Sequence, residues 1–161
     1  MAQQDIFEQL KEDHDKHRAL LAQLFASEGN PDQREKLFER FKIEVTAHAA
    51  AEEETLYATM LAREELRHDA VHSVAEHKEI GDLLQAIAET DIRSDAWRAE
   101  FQKLANRYTH HIDEEEAEMF PAAAKGLSEE KIAQLRALFE KRKPAEVERA
   151  LEGADEGDER E

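Results

Sequence analysis

Two stretches of this chain carry the same polar frame inside otherwise apolar helical patterns. His48 and Glu52 stand four residues apart, and so do His111 and Glu115. Each pair lies 34 residues beyond another histidine, His14 and His77, and the second set repeats the first at an offset of 63 residues with no slip in register. On a helix, four-residue spacing stacks two side chains on one face, one turn apart. Between residues 14–57 and 77–120, nine positions are identical, among them Leu20/Leu83, Leu21/Leu84, Phe38/Phe101 and Thr46/Thr109. The fold must therefore place two equivalent halves so that four histidines and two glutamates have a reason to recur.

The rest of the chain is helix material. Among its 161 residues are five Gly and three Pro, too few for the turns of a sheet protein, while Glu, Ala, Leu, Lys, Arg and Gln dominate. The length suggests one domain. A formal net charge of −17 disfavours nucleic acid and anionic membrane as partners. Cysteine is absent, which excludes disulfides, thiolate chemistry, iron–sulfur clusters and thiolate zinc sites. The first residues have neither a basic nor an apolar leader segment, and no run approaches a membrane span, so a cytoplasmic protein is expected.

The punctuation predicts five helices. Asp5 and Glu8 have capping-box spacing, and the first helix is expected to reach Ser27. Gly29, Asn30 and Pro31 stop it and start a second helix, expected to run to Arg63. A turn is placed near Arg67, His68 and Asp69, although no Gly or Pro marks it. A third helix carries Val71 to Ile87. Ser94 caps a fourth, expected over Asp95 to Ala123. A fifth, from Ser128 to Arg142, is expected to end at Pro144, and the acidic tail 153–161 to be disordered. The reading is all-α: an up-down-up-down four-helix bundle over residues 1–125 with an internal pseudo-twofold, then a helical extension over 126–152.

A bundle core is apolar, and a His and a Glu on its stripe are costly unless paired or metal-bound. The stripes read Phe41, Val45, His48, Glu52, Leu56 and Leu104, Tyr108, His111, Glu115, Met119. A lone His-x-x-x-Glu match is ordinarily a solvated pair, and it also occurs at His72/Glu76 and His110/Glu114. The repeat singles out the two pairs that share a register with His14 and His77. If each glutamate bridges, each of two metals receives two imidazoles and two carboxylate oxygens and keeps one or two open positions. Such mixed ligation suits iron, manganese or zinc.

The chain resembles a hemerythrin-like (HHE cation-binding) domain. The resemblance covers about residues 5–125. It rests on Glu12-Asp13-His14, on His48 to Tyr57, on Glu76-His77 with Ile80, and on His111 to Pro121. It implies a four-helix bundle around a non-haem di-iron centre, with an oxo or hydroxo bridge, that binds dioxygen, nitric oxide or related species. It carries the metal ligands onto His14, His48, Glu52, His77, His111 and Glu115. Oxygen-carrying hemerythrins have a second histidine four residues from the one on helix three, where this chain has Ser73 and Gly81. Their last ligand is an Asp five residues after the final histidine, whereas Glu115 here follows His111 by four. The pattern resembles a bacterial subgroup instead, and shifts the expectation from oxygen carriage towards reaction with peroxide, a catalase-like turnover, or a role in oxidative and nitrosative stress.

Breaks in the repeat mark further candidates. Tyr108 has Val45 as its counterpart and is either a ligand or an ordinary core aromatic. Glu44, the counterpart of Arg107, is a candidate seventh ligand, half of an ion pair with Arg107, or solvated. His17, the counterpart of Ile80, is a candidate for lining a ligand path. Glu53 and Glu116 recur but point away from the stripe and read either as supports behind the ligands or as solvated, and His68, His72 and His110 read as surface residues. Two other functions remain in view: an iron buffer or iron/redox sensor acting through a protein partner, and a ferritin-type enzyme. The latter needs paired Glu-x-x-His motifs, and only Glu65/His68 fits, outside the repeat.

Overall fold

The computed structural model describes residues 5–159, with side chains through residue 153. Helix α1 (Ile6–Ala26) starts where Asp5 accepts a hydrogen bond from the Glu8 amide at 2.9 Å. Gly29, at φ +90°, turns the chain in a conformation that disfavours a Cβ. Asn30 then caps α2 (Pro31–Glu52) and Pro31 occupies its first turn. α2 continues through a wide π turn, Glu53–Tyr57, into α3 (Ala58–Leu61). Helix α4 (Glu64–Ala88) leads to α5 (Asp95–Glu114), capped by Ser94 Oγ accepting from the Trp97 amide at 3.1 Å. A second π turn, Glu115–Met119, passes into α6 (Phe120–Gly126), and α7 (Glu129–Glu159) follows. Among the described residues there is no strand, and no helix is long and apolar enough to cross a membrane.

Two elements differ from the sequence reading. The turn between the second and third rods falls at Ala62 and Arg63, not near Arg67–Asp69. Arg63 takes an extended conformation, and Arg67 Nε caps the preceding helix by donating to the Leu61 carbonyl at 2.9 Å. A helix starting at Glu64 lets Leu66 and Ala70 reach the core, where they are 3% and 0% exposed. Nor does the fifth helix stop at Pro144. Proline's fixed φ is compatible with helix even though its missing N–H loses one bond, and α7 runs on to Glu159. The acidic tail expected over 153–161 lies partly outside the described residues.

The apolar stripes close into two clusters. One gathers Ile6, Phe7, Leu10, Leu56, Met60, Leu66, Phe120, Leu135 and Phe139. The other gathers Leu20, Leu24, Phe38, Phe41, Leu84, Ile87, Trp97, Phe101 and Leu104. Each fully buried side chain of this size contributes roughly 1.5–3 kcal/mol. In sequence, His14, His48 and Glu115 fall between segments of the two clusters, with Glu52 and His111 at the edges of those segments, so the polar layer is held from both ends by packed hydrocarbon. Helix α7 packs against α1 and α2 and contributes Leu135 and Phe139 to the first cluster.

Candidate metal centre

The layer between the two clusters brings together all six side chains singled out by the repeat. His14, Glu52, His111, Glu115 and His48 are at most 3% exposed, and the His77 side chain is 7% exposed. Glu52 lies between the halves, with Oε2 3.7 Å from His48 Nε2 and Oε1 3.2 Å from His77 Nε2. Glu115 mirrors it, with Oε2 3.4 Å from His14 Nε2 and Oε1 2.6 Å from His111 Nε2. Donor atoms of Glu52, His77, His111 and Glu115 lie within 4.8 Å of one another, as do those of His14, His48 and Glu52.

The other ring nitrogen of each histidine meets a carboxylate. His48 Nδ1 is 2.8 Å from Asp13 and His111 Nδ1 is 3.1 Å from Glu76. His14 Nδ1 is 3.0 Å from Glu116 and His77 Nδ1 is 3.0 Å from Glu53. Asp13 and Glu76 are 63 residues apart, and so are Glu53 and Glu116. The four contacts are therefore two contacts repeated by the internal twofold. A carboxylate on one nitrogen fixes the ring and directs the other inward. Sequence reasoning missed Asp13 and Glu76; for Glu53 and Glu116 the structure shows the supporting alternative. Their recurrence beside each His was the available signal.

Five inward atoms, His14 Nε2, His48 Nε2, both oxygens of Glu52 and Glu115 Oε2, are buried without a hydrogen-bond partner. Each such atom costs about 1–3 kcal/mol if left unsatisfied. Neutral imidazole nitrogens and carboxylate oxygens that converge in this way are a donor set that fits divalent cations. Without a cation the layer keeps protons instead. Burial works against a charged His111, but the charge and hydrogen bonds of Glu115 and the Glu76 contact outweigh it and raise it to about 9. His14 and His77 are raised for the same kind of reason. Burial likewise works to raise Glu115, and the surrounding histidines hold it well below the ordinary carboxylate range.

The remaining candidates separate. Tyr108 is buried, and its hydroxyl meets His17 Nδ1 at 2.5 Å. His17 is 1% exposed, and burial holds it down at about 2, so it is neutral; its Nε2 has no partner. Glu44 does not pair with Arg107. It faces Lys143 at 3.6 Å because α7 lies over α1 and α2, and Arg107 binds Glu79. His68 and His110 are exposed, while His72 sits at the surface with Nε2 3.3 Å from Glu76. Tyr57, which reads as apolar in the sequence, donates its hydroxyl to Glu115 Oε1.

A cavity of about 370 Å³ opens on this layer between α2, α4 and α5, lined by His48, His77, His111, Tyr108, Ile80 and Gly81 among others. The repeat explains its place. At one junction between the halves Arg18 binds Asp113 at 2.9 Å and Glu116 at 2.5 Å. The counterparts of those three residues are Gly81, Ala50 and Glu53, all of which line the cavity. One of the two equivalent junctions between the halves is closed by an ion-pair cluster where the other is open.

A buried layer of paired imidazoles and carboxylates in a helical bundle defines a cation-binding protein, and the sequence agrees. It matches the hemerythrin HHE cation binding domain over residues 5–123, and the chain belongs to that family. A solved crystal structure, of a hemerythrin HHE cation binding domain-containing protein that is the Rv2633c homolog from Mycobacterium kansasii, has the same fold. It aligns with a TM-score of 0.81 at 24% identity, over 92% of this chain and 91% of that one. A comparison with curated proteins finds no match.

Proposed function

We propose that this chain is a non-haem di-iron protein that binds or turns over a small ligand (dioxygen, peroxide or nitric oxide) in oxidative or nitrosative stress defence or sensing. The observation that carries the reading is the convergence of four Nε2 atoms on two carboxylates, each of which presents one oxygen to either half. His14 and His48 would hold one ion, His77 and His111 the other, with Glu52 and Glu115 shared. Two irons there supply open coordination positions and one-electron redox change to the ligand.

The protein's own part is positional. Asp13, Glu76, Glu53 and Glu116 lock the imidazoles, so the donor geometry is set before metal arrives. The tight packing above and below excludes bulk water. The cavity at Gly81 admits a molecule of a few atoms from the α2–α4 side, and Tyr108 lines it. Ser73, four residues before His77, makes its contact at 3.5 Å with the Met119 sulfur, and Gly81, four residues after, has no side chain. Four donors per ion thus leave more open positions than a carrier needs, which favours reaction over simple carriage.

The test is metal analysis of protein purified without added metal, then anaerobic iron loading and optical spectra with dioxygen, nitric oxide and azide, alongside peroxide consumption. Two irons per chain with ligand-dependent bands are expected. No spectral change and no turnover would remove the reading. A sensing role has one observation in its favour: α7 touches the donor layer directly, through Phe139 beside His48 with ring centroids 6.0 Å apart. Proteolysis of α7 at equal rates in the reduced and oxidised protein would dismiss it.

A further inference from the structure

The two halves of the donor set are backed differently. Asp13 and Glu76 occupy equivalent places, and each meets Nδ1 of the histidine in its own half. Behind Glu76 stands His72, half exposed, at 3.3 Å. Behind Asp13 stands Lys143, whose Nζ is 3.0 Å from the same Oδ2 that contacts His48. Lys143 belongs to α7, beyond the family-matched residues 5–123. Its side chain is 17% exposed and also faces Glu44. Phe139, one turn earlier and 1% exposed, meets the His48 ring edge-on at an interplanar angle of 74°. Packing, and not the ion pair alone, sets where the ammonium lies.

A carboxylate behind a ligating imidazole strengthens it as a donor by drawing on its Nδ1 proton. A fixed cation on that carboxylate reverses part of the gain and adds a like charge beside the metal. A contact this sheltered is little screened by salt. The Asp13 carboxylate is thus shared between the His48 imidazole and the Lys143 ammonium.

We infer that Lys143 is a tuning residue that makes the two metal positions unequal. The position at His14 and His48 binds a divalent ion more weakly, and favours the reduced ion more, than the position at His77 and His111. This rests on the di-metal reading proposed above.

Cobalt(II) titration of the full-length chain, followed by calorimetry and visible absorption, tests it. The wild type should take up two ions in two unequal steps. Lys143→Met should strengthen the weaker step about tenfold, at the low end of what a partner behind a ligand is worth, and leave the other unchanged. Lys143→Arg should restore the wild-type pattern. Lys141→Met removes the same charge from an exposed place on α7 and should change neither step. In the two-iron protein, Lys143→Met should lower the higher of the two reduction potentials. Equal steps in the wild type would overturn the inference whether or not any variant folds. So would an unchanged or weakened step in a helical Lys143→Met protein, or the same shift in Lys141→Met. Failure to take up two ions would remove the di-metal reading itself, and the stoichiometry alone distinguishes that result.

Discussion

Raising the pH should destabilise the metal-free protein and strengthen the metal-bound one. The layer of imidazoles and carboxylates titrates as ion pairs. His111 is carried from 6.5 to about 9 in the fold. A group raised in this way contributes its full stabilisation below its unfolded value and loses it as pH climbs through the folded one. Over that interval the loss for His111 alone is on the order of 3 kcal/mol. His14 and His77 are shifted in the same direction and add to it. On the acid side Asp13, Glu76 and Glu115 are all held low, so their contribution is present above the ordinary carboxylate range and fades as pH falls below it. His17, held down at about 2, works the other way and removes stability as pH falls below 6.5, so the metal-free chain should be most stable near pH 6.5. Metal needs neutral imidazoles and competes with those protons, so its affinity rises with pH. Urea unfolding of chelator-treated protein, read by circular dichroism at about pH 6 and about pH 9.5, gives the difference directly. The wild type should lose on the order of 3 kcal/mol or more, and His111→Gln should lose less. Equal stability at the two pH values, or an undiminished loss in His111→Gln, would refute the electrostatic account of the layer.

Three further outcomes follow from the packing. Glu52→Ala removes a carboxylate that faces both halves and should reduce metal content below two ions per chain, measured by elemental analysis at unchanged helicity. Gly81→Arg places the counterpart of Arg18 at the open end of the cavity, where an added Cβ meets nothing within 4 Å; azide or nitric oxide association with the iron-loaded protein should slow in stopped flow while the Tm holds. Phe139→Ala should cost about 3–5 kcal/mol, as for a fully buried aromatic, and should expose α7 to proteolysis before the rest of the chain.

The periodic pattern carried most of the architecture. Apolar stripes and the caps at Asp5, Asn30 and Ser94 located three of the helix starts, because those signals are local. The turn at Arg63 was not legible: it uses neither Gly nor Pro, and depends on Arg67 reaching back to the Leu61 carbonyl. Pro144 misled for the opposite reason, since a strong local breaker is overridden by the docking of α7. The 63-residue register singled out six side chains, from eight histidines and 39 acidic residues, that the fold brings into one layer. Which carboxylate supports which histidine was not visible because it depends on which helices are neighbours. Glu53 looked displaced from the ligand stripe by helical geometry, yet it reaches His77 on another rod. The two π turns are also silent in the sequence. Each widens its helix just after the histidine–glutamate pair, so that Glu52 and Tyr57, five residues apart, are both fully buried.

The crossed pattern of support, with His14 leaning on Glu116 and His77 on Glu53, has a consequence for how such a centre can be assembled. Neither half satisfies its own first histidine; each borrows that carboxylate from the other. Two copies of one half, associated through a self-complementary isologous interface, would supply every donor and every supporting carboxylate twice over. The chain is in this sense a covalently joined dimer. Having both halves on one polypeptide frees them to diverge, and α7 can then cover one face of the bundle while the cavity between α2, α4 and α5 stays open.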